Sequence, residues 1–319
     1  MPQPTGDSAD GPVRPLSQLK PKGQPPKSVS ILNQWIAHAE RTLGVPAAGG
    51  RLGWLVASTV VIAALQQAVD QTGTPRFLLK GGTMLQHRLG LTTRATSDID
   101  GLIRGDIAGF VIALDDVLAR SWEPFTMTRS EVEVINTPTR VVKPRRLTVS
   151  VSLRGQIWRK VQVELGPDEG GAGDTPETVP APALDGFGLR GPDELVVLAM
   201  RYQIAQKIHA CSDPHDPPAW VNDRPRDVVD LILLRDLVTS EGAPTLAEVR
   251  DATVRVFEHR AEDAVTLRHR PRSWPCVVVA HRHWPNDYAR AAADGGVTLS
   301  LDDAVAEVND WLAQIDAAR

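Results

Sequence analysis

Cysteine is nearly absent: Cys211 and Cys276 are the two in 319 residues. That excludes a disulfide scaffold and a four-cysteine zinc site, and it suits a reducing cytosol. No apolar run approaches the roughly 20 residues of a membrane span. The first residues lack the apolar stretch of a signal peptide. The expectation is a cytoplasmic protein with no membrane partner. An excess of positive charge is missing too. Lys plus Arg is 35 against 39 Asp plus Glu, a net charge of -4. A globally basic nucleic-acid binder is excluded, while a local basic face is not. No Gly-x-Ser-x-Gly, P-loop or Rossmann fingerprint occurs.

What is present divides the chain in three. Residues 1–30 hold seven Pro and three Gly and almost nothing large and apolar, which reads as a disordered tail. Residues 31–190 begin with helices over 31–43 and 52–69, where apolar residues recur at helical spacing. A short apolar strand follows at Phe77-Leu78-Leu79, then a helix to Leu89 and a strand over 97–102. Residues 106–120 read as an amphipathic helix. The period then changes to two. Leu147, Val149, Val151 and Leu153 alternate with polar residues, as do Val161, Val163 and Leu165, giving strands with one face in a core. Residues 166–192 are rich in Gly, Pro and Asp and read as a long loop. From Asp193, a plausible N-cap, the pattern predicts helices over 194–210, 226–237, 246–257 and 301–315. The expected fold class is α+β, with a mostly helical part over 191–319.

The most informative segment is Lys80-Gly-Gly-Thr-Met-Leu85, followed by Arg94-Ala-Thr-Ser-Asp-Ile-Asp100. Two glycines after a strand let the backbone turn with positive φ and approach a ligand closely. Their N–H groups, at the start of a helix, can face a phosphate. Asp98 and Asp100 lie two apart on a predicted strand, so both carboxylates share one face and Ile99 points into the core. Side-by-side carboxylates repel unless a cation lies between them, and Mg²⁺ suits hard oxygen ligands. A Gly turn for phosphates beside a carboxylate pair for Mg²⁺ is the layout of a nucleotide-using site. Either part alone is ordinary: a turn, and a solvated strand end.

Other candidates surround this pair. Glu164 shares a strand face with Gln162 and Lys160 and admits two readings, a third metal ligand or an exposed residue. Lys207 lies among Ile204, Ala205 and Ile208, either snorkelling to the surface or held over a phosphate. Asp227 and Asp230 share a helix face. Spacing alone does not bring Lys207 or Asp227 to Asp98. Residues 134–163 contain no acid but hold Arg140, Lys143, Arg145, Arg146, Arg154, Arg159 and Lys160, a local charge of +7. That stretch reads as an RNA-backbone grip, against the alternative of a charge-protected sheet edge. Arg268, His269, Arg270 and Arg272 form a weaker basic cluster. His209, Cys211 and His215 imitate a zinc set but lack a fourth ligand at standard spacing, and His281 and His283 read as surface residues.

The two motifs around Lys80–Leu85 and Arg94–Asp100, together with Ala205-Gln-Lys207-Ile-His-Ala210 and Arg224-Pro-Arg-Asp227-Val-Val-Asp230-Leu231, resemble the AbiEii/AbiGii nucleotidyltransferase toxin family, which includes the MenT toxins. The resemblance spans residues 31–316. It implies a nucleotidyltransferase-like mixed sheet with flanking helices and an added helical domain. It implies a toxin with a cognate antitoxin, in some members active in phage defence. Such a toxin moves nucleotides from an NTP, with CTP favoured, to the 3′ end of the tRNA acceptor stem and so blocks translation. By resemblance, Lys80, Gly81, Gly82, Thr83, Thr96 and Ser97 hold the nucleotide, Asp98 and Asp100 hold Mg²⁺, Lys207 binds its phosphates and Asp227 completes the site. Thr96 matches a hydroxyl position open to phosphorylation by the antitoxin. The sequence departs from the family's usual residues at Ala95, Ser97, Gln206 and Arg226.

Overall fold

The hydroxyl of Ser28 accepts the N–H of Ile31 and starts α1 (Val29–Leu43), which ends where Gly44 turns left-handed. Leu32, Ile36, Ala39 and Leu43 are its buried stripe. α2 (Arg51–Leu65) is buried on nearly every side, as a helix apolar all round must be. Its two buried hydroxyls, Ser58 and Thr59, donate to the carbonyl of Leu55 at 3.1 and 2.6 Å. The computed structural model describes residues 15–45, 50–90, 96–120 and 122–319, so Arg94 and Ala95 of the second motif lie outside the described residues.

Among the described residues, eight strands form one mixed sheet. They are β1 (Phe77–Lys80), β2 (Asp98–Ile103), β3 (Phe125–Arg129), β4 (Glu133–Val134), β5 (Arg145–Leu153), β6 (Gln156–Pro167), β7 (Glu177–Pro180) and β8 (Glu194–Val197). The order is β3-β5-β6-β2-β1-β8-β7, with β4 also on β5. β1 runs antiparallel to β2, while β2–β6 and β1–β8 are parallel. α3 (Gly81–Leu89) follows β1 directly, and α4 (Ile107–Leu118), capped by Asp106, follows β2. Alternation sorts the strands' side chains. Phe77, Leu79, Ile99 and Ile103 face a core shared with α1, α2 and α4. Leu78 and Leu102 face the opposite side, packed on α5 (Met200–Cys211) and α7 (Leu246–Thr266). Burial of each such side chain contributes about 1.5–3 kcal/mol. α6 (Pro225–Glu241), α8 (Pro285–Gly295) and α9 (Leu301–Ala317) join α5 and α7 in a second core around Trp284.

Three expectations are corrected. Residues 15–28 are not a loose tail: Leu19 is buried against Gly186, the N–H of Lys22 donates to Asp185 O, and the Lys22 ammonium lies over Trp35. Residues 166–192 are not one loop, because β7 lies within them. Residues 194–197 form β8 beside β1, and the helix starts only at Met200, capped by no side chain of Asp193. The sheet therefore continues past residue 190.

Candidate active site

One transverse row of the sheet collects the charges. Lys80 pairs in register with Asp100, Asp100 with Glu164, and Glu164 with Arg146. Residues directly opposite on neighbouring strands point the same way, so four charged side chains stand side by side on the face that α5 partly covers. Asp98 is two residues from Asp100 and shares the face, while Ile99 is fully buried on the other. Burial pushes the Asp100 carboxyl up to about 6; Asp98 and Glu164 push the same way, against Lys80 and Lys207. The cations thus only partly offset the crowding of acids.

The turn after β1 is built around Asp100. Gly81 sits at φ +72°, and a Cβ there would lie 2.2 Å from Asp100 Oδ2. Only glycine meets both conditions. Gln203, on α5, clamps this turn: the Gly81 N–H donates to Gln203 Oε1 at 3.1 Å, and Gln203 Nε2 donates to Gly81 O at 3.2 Å. The Gly81 N–H is therefore spent on protein. The phosphate-facing donors left to the motif are the N–H groups of Gly82 and Thr83, which open α3 without a capping side chain. Thr83 is buried, and its hydroxyl donates to Asp98 O at 2.6 Å, fixing β2 against α3. Thr96 Oγ1 donates to Asp98 Oδ1 at 3.2 Å, and Ser97 is exposed beside it.

Lys207 lies one helical turn beyond Gln203, on the same face of α5. Its ammonium donates to Asp227 Oδ1 at 2.8 Å and Asp230 Oδ2 at 2.6 Å. Burial works against its charge, yet the two aspartates outweigh burial and hold its pKa above the ordinary lysine range. The fold thus brings Lys207 within electrostatic reach of Asp100, with Asp227 bound to it, which spacing alone did not show. Lys80 is shut in between Asp100 and Glu169, and burial lowers its pKa. It balances buried charge.

The basic segment is largely used internally. Arg140 Nη1 lies 2.5 Å from Glu169 Oε1, and Arg260 reaches Glu169 Oε2 at 2.9 and 3.0 Å. Burial opposes the charge of Glu169, but these arginines and Lys80 hold it down at about 2. Arg146 forks onto Glu164 Oε1 at 2.6 and 3.1 Å. Lys143 and Arg145 donate to carbonyls of their own loop. Arg159 turns to the helix-covered face, against Gly50 and Gly53 beside α2. Arg154 and Lys160 are exposed. Of the seven cations of the expected RNA grip, Arg154 and Lys160 are thus exposed, Arg140 and Arg146 are tied to acids beyond the segment, and Lys143 and Arg145 to carbonyls within it. In the second basic cluster, Arg272 is also taken, by Asp213 and His209.

His209 is no zinc ligand. Arg260 and Arg272 reach its ring nitrogens at 2.7 and 2.6 Å, and burial with these charges holds it neutral. Among the described residues, no three His, Cys, Asp or Glu side chains are placed to hold a metal ion. Asp98 and Asp100, two hard carboxylates on one face behind a glycine cradle, do fit a divalent cation. Glu164 is on that face too, but its carboxylate is bound to Arg146. Two residues escaped sequence reasoning. Gln203 binds backbone 122 positions away, with no local signal. Glu169 sat in what read as a loop.

A same-face aspartate pair beside a Gly-Gly turn at a helix start suits phosphates and a divalent cation. The family model for the AbiEii nucleotidyl transferase toxin, of type IV toxin–antitoxin systems, matches residues 63–313. The chain belongs to this family. Among solved structures it is similar to MenT4, a nucleotidyltransferase toxin from Mycobacterium tuberculosis H37Rv, at 17% identity over 90% of this chain and 99% of that one, with a TM-score of 0.48. It is also similar to a crystal structure from H. pylori assigned as a nucleotidyltransferase, at 12% identity over 82% and 92%, with a TM-score of 0.40. No curated protein matches the sequence. Among the described residues, no helix is long and apolar enough to cross a membrane.

Proposed function

We propose that this toxin is an Mg²⁺-dependent nucleotidyltransferase that transfers nucleotides from an NTP, with CTP favoured by family likeness, to the 3′ end of tRNA and so blocks translation. One observation carries the reading: Asp98 and Asp100 share a face at the Gly81 turn, with Lys207 held by Asp227 and Asp230 on the covering helix. A cation held by the two aspartates supplies positive charge to the reacting phosphates. The N–H groups of Gly82 and Thr83 receive phosphate oxygens at the start of α3. Lys207 neutralises phosphate charge, with Asp227 and Asp230 fixing its position. The acceptor hydroxyl oxygen bonds to the α-phosphorus as the bond to the β-phosphate oxygen breaks, releasing pyrophosphate and a proton. Thr96, against Asp98, is the hydroxyl through which an antitoxin kinase would act.

A second reading keeps the chemistry and changes the acceptor to a small-molecule or protein hydroxyl. The internal bonding of four of the seven cations in the 140–160 segment, Arg140, Lys143, Arg145 and Arg146, favours it. One experiment separates the two. Purified protein is incubated with total tRNA, Mg²⁺ and each α-labelled NTP in turn, beside Asp98→Ala. Label in the tRNA band from one preferred NTP, absent with the variant, is the expected result. No label with any NTP, from a folded protein that still arrests growth, overturns the tRNA assignment and points to another acceptor.

A further inference from the structure

The transverse row contains an ion pair that the chemistry above does not use. Arg146 stands opposite Glu164 in register and donates through Nε and Nη2 to a single oxygen, Oε1. The pair sits at the open end of the row, with the Arg146 side chain 40% exposed and that of Glu164 27% exposed. On its other side Glu164 meets Asp100, itself crowded by Asp98. Three carboxylates therefore share one face, and one of them is held by a movable guanidinium.

We propose that Arg146 is the counter-ion of Glu164 until a divalent cation binds, that the entering cation displaces it, and that the freed guanidinium then takes a phosphate of the nucleotide. This deepens the nucleotidyltransferase reading and rests on it.

Magnitudes favour the exchange. A half-exposed ion pair is worth no more than about a fivefold factor in an equilibrium. A divalent cation beside three carboxylates relieves two like-charge repulsions at once and binds hard oxygens that suit it. Glu164 gives up one oxygen to Arg146 and keeps Oε2 outside that pair, so the approach of a cation does not first require a bare carboxylate. Arginine forks match phosphate as well as carboxylate, so the displaced side chain has a second partner as soon as a nucleotide is present. Lys80, at the other end of the row, lies between Asp100 and Glu169 and so has two acids to balance.

The test is binding of Mn²⁺ to the nucleotide-free protein, counted by electron paramagnetic resonance, for the wild type and five variants. Arg146→Ala should tighten Mn²⁺ binding by about two- to fivefold. Glu164→Gln should weaken it by more than about tenfold. In the double variant the gain from losing Arg146 should vanish, because there is no carboxylate left to release. Lys160→Ala, which removes an exposed cation from the same face two pairs away, should leave the affinity unchanged. Adding a non-hydrolysable NTP should reverse the order, with Arg146→Ala binding the nucleotide more weakly than the wild type. An unchanged or weakened Mn²⁺ affinity in Arg146→Ala overturns the proposal. So does a gain that persists with Glu164→Gln, which marks a general charge effect. Asp98→Asn serves as the reference. If it too leaves Mn²⁺ binding intact, the metal site itself is misassigned. If it abolishes binding while the Arg146 arms fail, only the exchange is wrong.

Discussion

At the scale of single residues, the site stores unfavourable electrostatics. Asp100 titrates near 6 because it is buried beside two other acids. Its carboxyl is raised above the unfolded value of about 3.8, so the folded protein binds the extra proton between about pH 4 and 6. The ionised form therefore costs stability above pH 6, and that cost is relieved as pH falls towards 4. In metal-free protein, Asp100→Asn should raise the unfolding free energy at pH 7 by about 1–3 kcal/mol. The gain should shrink through pH 6 to 4, as followed by denaturant unfolding. A loss of stability at pH 7 would mean the carboxylate is better compensated than its neighbours suggest. The Asp98–Asp100 face was legible from a spacing of two on a strand. The partner of Glu164 was not, because Arg146 joins it only through the register of β5 on β6.

At the scale of elements, α5 assembles the site. Its Gln203 reads both backbone groups of Gly81, and its Lys207, one turn on, faces the aspartates. Gln203→Leu keeps the size but removes both hydrogen bonds and leaves the Gly81 N–H and C=O without their partner. The expected result is a fall in kcat of about tenfold or more with the nucleotide Kd changed less, since the turn carrying the phosphate donors loses its anchor. Unchanged kcat would show that the turn is set by Gly81 and Asp100 alone. Sequence periodicity found the long elements, α1, α2, α4, α6 and α9, and the β5–β6 hairpin. It missed β8, because Glu-Leu-Val-Val at 194–197 is too short to tell strand from helix and runs straight into a helical pattern. It also missed β7, whose four residues lie amid turn-forming ones.

At the scale of the whole molecule, Glu169 joins the two halves. It follows β6 and is 2% exposed, yet it holds Arg140 from the β4–β5 connection and Arg260 from α7. The acid-free stretch 134–163 looked like a free positive surface because the acids that pair with Arg140 and Arg146, Glu169 and Glu164, lie beyond its end. Removing this one carboxylate leaves two half-buried guanidiniums without their shared partner. Glu169→Gln should destabilise the protein by about 3–5 kcal/mol. Because the carboxyl is held at about 2, below its unfolded value, the wild type's advantage should be full above about pH 4.5 and be lost as pH falls towards 2. Thermal melts of both proteins across that range check this, and a variant as stable as the wild type at pH 7 would remove the bridge from the account.

The central claim is that the Asp98–Asp100 pair, with Lys207, drives nucleotidyl transfer. Its most direct measurement is pyrophosphate release from an NTP in the presence of total RNA, for the wild type and for Asp98→Asn confirmed as folded. Release with the wild type and loss of at least about a thousandfold with the variant is the expected result. A folded Asp98→Asn protein that releases pyrophosphate at the wild-type rate would contradict the assignment of this site.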